Sequence, residues 1–160
     1  MSLRLKAPEP LATTHQLDDF QCGEVVLDEW LKRRALANQL SGASRTFVAT
    51  DLNGRVYGYY ALAAGAVSRR SATGSVSRNM PDPIPVMVLA RLAVDRQAQG
   101  MRLGPALLQD AVDRSRVVSQ NTGVRAVLVH ALHDRAKRFY EHYGFQVSPV
   151  HPFTLMMRLR

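Results

Sequence analysis

Apolar residues recur along this chain with two periods. Leu27, Trp30, Leu31 and Ala35 stand at helical spacing, with Lys32, Arg33 and Arg34 on the other face. Asp28 or Asp19 is placed to cap this helix, and Ser41-Gly42-Ala43-Ser44 ends it. From Leu103 a second stripe runs through Leu107, Leu108, Ala111, Val112 and Val118, closing at Asn121-Thr122-Gly123. A third stripe, Ala136, Phe139, Tyr140 and Tyr143, opens at His133 or Asp134 and is stopped by Gly144. Between the stripes lie short apolar runs that read as strands: 11–17, 46–50, 55–67, 86–94, 124–129, 145–147 and 153–159. Asp51-Leu52-Asn53-Gly54 is a hairpin turn signal, and Phe20-Gln21-Cys22-Gly23 reads as a turn. Residues 68–85, rich in Ser, Arg and Pro, are expected to form an exposed loop, and residues 1–10 a loose arm.

The order of these elements sets the fold class. Antiparallel strands come first, followed by a β-α-β-α-β-β half. A strand, a long helix and another strand make a crossover between parallel strands. The expectation is a mixed α/β layer fold in a single domain over residues 1–160.

Composition narrows the chemistry. The single cysteine, Cys22, excludes an internal disulfide and argues against structural zinc, and the five histidines form no metal motif, so no metal is expected. Cys22 as an acyl-carrying nucleophile has no local base motif beside it. No apolar run is long enough to span a membrane, no signal-peptide core opens the chain, and a reducing cytoplasm is the expected compartment. The net charge is +8, from 21 Lys and Arg against 13 Asp and Glu. Such an excess favours a polyanionic partner, of which nucleic acid is the commonest.

The stretch from Leu89 to Leu108 reads as strand, glycine-containing turn and helix, with Pro105 suited to the first helical turn. Free N–H groups at such a helix start, with the helix dipole behind them, suit phosphate. Arg96 and Arg102 flank the turn and add positive charge. The spacing matches neither the mononucleotide P-loop nor the dinucleotide fingerprint.

Leu92-Ala93-Val94 and Gln99-Gly100-Met101-Arg102-Leu103-Gly104 instead resemble the acetyl-CoA pyrophosphate loop of the GNAT superfamily of N-acetyltransferases. Arg102 departs from the pattern, standing where the family has a glycine. At negative φ an arginine keeps the N–H donor and adds a charge-assisted contact; it also crowds the loop. Ala136 with Phe139-Tyr140-Glu141-His142-Tyr143-Gly144-Phe145 resembles a second motif of the family. By periodicity alone, Tyr140 belongs to the apolar face of its helix. By the resemblance, Tyr140 lies near the acetyl-CoA sulfur, with Phe139 beside the cofactor. A phenol titrating near about 10 then protonates a thiolate leaving group whose thiol titrates near about 8.5. The resemblance also implies a GNAT fold of about six to seven strands flanked by about four helices, with direct attack of an amine on the thioester.

No base stands out. An α-amine, titrating near about 7.7–8.0, is partly free at neutral pH, whereas a lysine amine near about 10.4 is not. This favours an α-amino substrate, with Glu141 or a water relay as alternatives. Structural or surface roles are expected for His130, His133, His142 and His151.

A narrower resemblance covers the chain from about Leu11 to Leu159. Its residues are Phe20-x-Cys22-Gly23, Leu27-Asp28-x-Trp30-Leu31, Thr46-Phe47-Val48, Gly58-Tyr59-Tyr60-Ala61-Leu62, Arg91-Leu92-Ala93-Val94-Asp95, Phe139-Tyr140-Glu141 and His151-Pro152-x-Thr154-Leu155-Met156. Together they are similar to the TacT-like acetyltransferase toxins of bacterial type II toxin–antitoxin pairs. That resemblance implies acetylation of the α-amine of aminoacyl-tRNA, which blocks translation. It also implies a homodimer and a ribbon-helix-helix antitoxin, with operator DNA bound only through the antitoxin complex. Arg33, Arg34, Arg69, Arg70, Arg78 and Arg91 are the candidate tRNA-binding residues. Two other readings remain: a GNAT enzyme acting on a small amine or a protein N-terminus, and a non-catalytic nucleic-acid-binding module.

Overall fold

The computed structural model describes residues 3–160 and divides into two compact units. Of the described residues, one comprises 3–63 and 91–111, the other 64–90 and 112–160.

In the first unit, β1 (Glu9–Pro10) pairs antiparallel with β2 (Arg45–Thr50), and β2 with residues 56–62 of β3 (Val56–Val67), whose last four residues belong to the second unit. The β2–β3 hairpin turns where expected. The Asp51 carboxylate accepts the N–H groups of Asn53 and Arg55 at 2.9 and 3.0 Å, and Gly54 takes a φ of +88°. The expected first helix is two helices, α1 (Val25–Arg33) and α2 (Ala35–Ser41). They part at Arg34, whose φ of −119° leaves the helical range, and Gly42 closes α2 with a φ of +83°. Neither Asp28 nor Asp19 caps α1. Glu24 holds that position without a side-chain bond, and Asp28 lies in the first turn, where it accepts the Cys22 N–H at 2.9 Å. Leu27, Leu31, Ala35, Val48, Val56, Tyr59 and Ala93 are buried together in one core cluster.

The start of the chain is more ordered than its prolines suggest. Residues 9–10 are edge strand, the Lys6 N–H donates to the Thr50 carbonyl at 2.8 Å, and Leu3 and Leu5 pack against a core cluster. Over residues 3–10 the expected arm is therefore held, because it completes a sheet edge, while Met1 and Ser2 lie outside the described residues. Conversely, the run 11–17 is not a strand. His15 Nδ1 accepts the Ala12 N–H at 2.9 Å, which closes a turn, and only Gln16 bridges to Arg55.

β4 (Ile84–Val94), of which residues 84–90 belong to the second unit, pairs parallel with β5 (Ala126–His130) over Val86–Leu89. The connection contains α4 (Leu103–Ser119), as the crossover pattern predicts. β7 (Thr154–Arg158) runs antiparallel to both β5 and β6 (Gln146–Val147), and α5 (Asp134–His142) precedes this pair. Residues 68–85 are not a plain loop. They hold a 3-10 turn (Arg69–Ser71), α3 (Gly74–Ser77) and the start of β4, with Val76 fully buried among Val67, Ala72, Ile84 and Met156. The Ser and Arg content disguised two inward-facing apolar residues, Ala72 and Val76.

Among the described residues, the strands follow the order β1-β2-β3-β4-β5-β7-β6 in a seven-stranded mixed sheet with five α-helices. The α/β class is as expected. The helix count exceeds four because α1 and α2 separate and α3 forms.

Candidate active site

The candidate phosphate-loop residues, 92–94 and 99–104, all belong to the first unit. At the end of β4, Leu92 and Val94 are half-buried and pack with Ala98 and Leu103, while Ala93 turns to the other face beneath α1. Asp95 stops the strand. Its carboxylate is 1% exposed and accepts two backbone N–H groups, Gln97 and Gln21, each at 2.9 Å. A carboxylate holding two amides in a buried place fixes the turn that follows. The segment after Phe20 is stitched to this turn by two more bonds. The Arg96 N–H donates to the Gln21 carbonyl at 2.8 Å, and Gln99 Nε2 donates to the Cys22 carbonyl at 3.2 Å. Gln99 Nε2 also donates to the Val94 carbonyl at 3.1 Å, so its amide braces the loop from within.

Gly100 and Arg102 both sit at positive φ, +83° and +62°. Arg102 is therefore not at the negative φ under which an arginine would sit there without strain. This arginine occupies the left-handed conformation that the family's glycine adopts freely, at a cost of about 1–2 kcal/mol for a side-chain-bearing residue. Its side chain is exposed, as is Met101. Leu103 is buried and starts α4, with Gly104 half-buried behind it. Three features fit a pyrophosphate here: the N-terminal amides of a 17-residue helix, a first turn without acidic side chains, and open space around Gly100.

Tyr140 lies in the second unit, in the last turn of α5, and is 8% exposed. It packs between the rings of Phe139 at 5.2 Å and Phe145 at 5.5 Å. Burial alone pushes its phenol above the usual tyrosine range, so the O–H keeps its proton across all physiological pH. His133 caps α5, its Nδ1 accepting the Ala136 N–H at 3.1 Å. His130 Nδ1 meets the Thr154 hydroxyl at 3.0 Å, and the His142 ring lies against Tyr143. Cys22 is half-buried beside Asp28. Desolvation, then Asp28, pushes its thiol up to about 12, which does not suit an acyl-carrying nucleophile.

The candidate RNA-binding arginines fall in both units and differ in what they touch. Arg91 lies over the Trp30 ring at 5.1 Å, and Trp30 stacks on Tyr59 at 6.0 Å. Arg33 pairs with Glu29 at 2.5 Å, while Arg34 is exposed at the helix break. Arg69 is turned onto its own segment, with Nη1 donating to the carbonyls of Ser77, at 2.7 Å, and Met80. Arg70 and Arg78 are exposed. Asp95 and Arg125 are the organising residues that sequence reasoning missed. An acid directly after Leu-Ala-Val and before a turn was the available signal for the first.

Among the described residues, no group of three or more His, Cys, Asp or Glu is placed to hold a metal ion. No helix among them is long and apolar enough to cross a membrane.

A parallel β4–α4–β5 crossover with a glycine-containing turn at the head of α4 places free helix-start amides where an anionic group fits, as in an α/β transferase. Residues 42–147 match the acetyltransferase (GNAT) domain family, and the chain belongs to that family and is an N-acetyltransferase. It is 49% identical over 154 residues to the tRNA-acetylating toxin of Mycobacterium tuberculosis (strain ATCC 25618 / H37Rv), covering 96% of this chain and 92% of that protein. Among solved structures, AtaT complexed with acetyl-methionyl-tRNAfMet superposes with a TM-score of 0.89 at 26% identity, covering 97% of this chain and 95% of that one. A Tyr-to-Phe variant of the AtaT toxin, bound to the C-terminus of the antitoxin AtaR and acetyl-CoA, gives 0.83 at 26%, covering 96% and 92%. The chain thus falls in the toxin branch of its family.

Proposed function

We propose that this protein is a toxin that moves the acetyl group of acetyl-CoA onto the α-amine of aminoacyl-tRNA and so blocks translation. The observation that carries the reading is the near-full-length match to a tRNA-acetylating toxin. The loop at the head of α4 is a fitting seat for the pyrophosphate of acetyl-CoA, which supplies a thioester when bound. Tyr140 holds a proton on its phenol for the departing thiolate, and its burial supports that role by suppressing ionisation. An aminoacyl α-amine suits a site without a strong base, since part of it is already neutral near pH 7. The basic balance of the chain suits RNA. By the same reading the protein acts as a homodimer in the cytoplasm and is neutralised by a ribbon-helix-helix antitoxin.

The test is transfer of radiolabel from acetyl-CoA to a charged tRNA pool, with uncharged tRNA as control. Label confined to the aminoacyl end of charged tRNA is the expected result. Intact acetyl-CoA binding with no label on tRNA moves the substrate to a small-molecule amine or a protein N-terminus. Absence of acetyl-CoA binding would leave only a nucleic-acid-binding module.

A further inference from the structure

The backbone of Gln21 and Cys22 is clamped on all four of its polar groups. The Gln21 N–H donates to Asp95 Oδ2 at 2.9 Å, and the Gln21 carbonyl accepts the Arg96 N–H at 2.8 Å. The Cys22 N–H donates to Asp28 Oδ1 at 2.9 Å, and the Cys22 carbonyl accepts from Gln99 Nε2 at 3.2 Å. Three of the four partners, Asp95, Arg96 and Gln99, lie between β4 and α4. Water could satisfy the same groups on a surface turn, so the clamp fixes a chain path that solvation alone would leave open.

Asp95 is the centre of this arrangement. Its side chain is buried, and each oxygen has its own amide: Oδ2 takes Gln21 and Oδ1 takes Gln97. Its own N–H donates to the Tyr57 carbonyl at 2.8 Å, which anchors the residue to β3. A buried carboxylate also needs its charge offset. Arg55, the residue before β3, supplies the offset: Nη2 stands 4.0 Å from Asp95 Oδ2, and the guanidinium lies 4.7 Å over the Tyr57 ring. Tyr57 shares a core cluster with Ala98, Leu103 and Leu107, so hairpin, turn and helix start meet around this pair. Both carboxylate oxygens are engaged by backbone N–H groups, so Asp95 shapes the turn rather than touching a ligand.

We propose that Asp95, steadied by Arg55, is a positioning residue for acetyl-CoA. It acts through the backbone of residues 21, 22 and 97 to hold the amides at the head of α4 in the shape that takes the pyrophosphate. This rests on the reading of that turn as the pyrophosphate seat, and it names the residue that sets the seat's shape in advance. A seat held in its bound shape spares the ligand the cost of ordering it. The isosteric amide cannot take over this task. Asparagine has one acceptor oxygen for two N–H groups and turns a donor towards the other.

The experiment compares wild type with Asp95→Asn on two acetyl donors. Acetyl-CoA carries the pyrophosphate; S-acetylpantetheine has the same thioester arm without it. Charged tRNA is the acceptor, and calorimetry measures donor affinity separately. We expect Asp95→Asn to raise KM and Kd for acetyl-CoA about tenfold with kcat within about twofold, the size that fits one buried N–H left without an acceptor. With S-acetylpantetheine, kcat/KM stays within about twofold of wild type, whereas general damage to the fold would lower both donors alike. Arg55→Gln, at a side chain 25% exposed, gives about a threefold rise in KM for acetyl-CoA alone. Unchanged acetyl-CoA affinity in folded Asp95→Asn overturns the proposal, as does an equal loss on both donors. If Asp95→Asn does not fold, an unchanged acetyl-CoA KM in Arg55→Gln overturns it instead. If charged tRNA is not acetylated, the calorimetric affinities of the two donors carry the same comparison. If wild type takes S-acetylpantetheine as well as it takes acetyl-CoA, the pyrophosphate seat fails and the proposal falls with it. If wild type prefers acetyl-CoA and the variants keep the full preference, the role of Asp95 alone fails.

Discussion

Gly58 lies so close to Leu103 that a Cβ at position 58 would come within 2.8 Å of Leu103 Cδ2, and within 2.9 Å of Leu107 Cδ1. The missing side chain lets β3 carry the first turn of α4, and hence the turn proposed to hold phosphate. Gly58→Ala is expected to cost about 1–3 kcal/mol through overpacking, read as a lower midpoint in urea. Calorimetry should also show acetyl-CoA binding weakened severalfold, because the displaced residue is the first of the helix. Wild-type affinity in a folded variant would separate this packing from the loop.

Arg102 bears a side chain where the backbone asks for none. Arg102→Gly removes the left-handed penalty, offset partly by the added freedom of the unfolded chain, for a net gain of up to about 1 kcal/mol. The melting temperature should rise, and acetyl-CoA affinity should hold within about threefold. A loss of affinity beyond about tenfold would instead place the guanidinium on phosphate.

Tyr140→Phe keeps the ring between Phe139 and Phe145 and deletes only the hydroxyl. We expect kcat to fall by about 100-fold or more with acetyl-CoA affinity and melting temperature preserved. Because burial raises the phenol, the wild-type rate should show no alkaline decline from this group below about pH 10. The linkage has the matching sign. A phenol raised in the folded state contributes stability that is intact below the unfolded value near about 10 and is lost above it. Near-normal turnover in the variant would remove Tyr140 from the chemistry.

Cys22 is held as a thiol, its titration pushed up to about 12 by burial and by Asp28. Iodoacetamide at pH 8 should therefore label the folded protein far more slowly than the unfolded chain, whose thiol titrates near about 8.5. Since the folded value is the higher one, this group's contribution to stability is full below about pH 8.5 and declines from there towards 12. Cys22→Ala should retain acetyl transfer; abolished turnover without loss of fold would reinstate an acyl-enzyme route.

Where local sequence decides the structure, it could be read directly. The hairpin at Asp51–Gly54, the helix start at His133, the parallel crossover and the helical stripes follow from turn chemistry and apolar period. The errors arose where a long-range partner decided. Residues 9–10 became strand because β2 offered an edge, and 68–85 became ordered because Val76 found a core and Arg125 found its carbonyls. Motifs drew the eye to Gln99, Gly100, Arg102 and Tyr140. They do not encode that the exposed Gln99 amide bonds back to the Val94 and Cys22 carbonyls, or that Arg102 takes a positive φ. The Asp95 carboxylate was invisible as an organiser because the amide it holds lies 74 residues away.

That last contact ties a sequence-remote segment to the turn proposed to seat the cofactor. The turn before α4 owes its shape to Gln21 and Cys22, which contribute backbone atoms rather than side chains. Side-chain scanning there would pass over the connection, since most substitutions leave an amide in place. Changes to the chain path would not: a deletion, or a proline at position 21, which removes the amide that Asp95 binds, should register as a cofactor defect. Tolerance to substitution and intolerance to indels would then mark this stretch, a pattern more familiar from a hinge than from a binding loop.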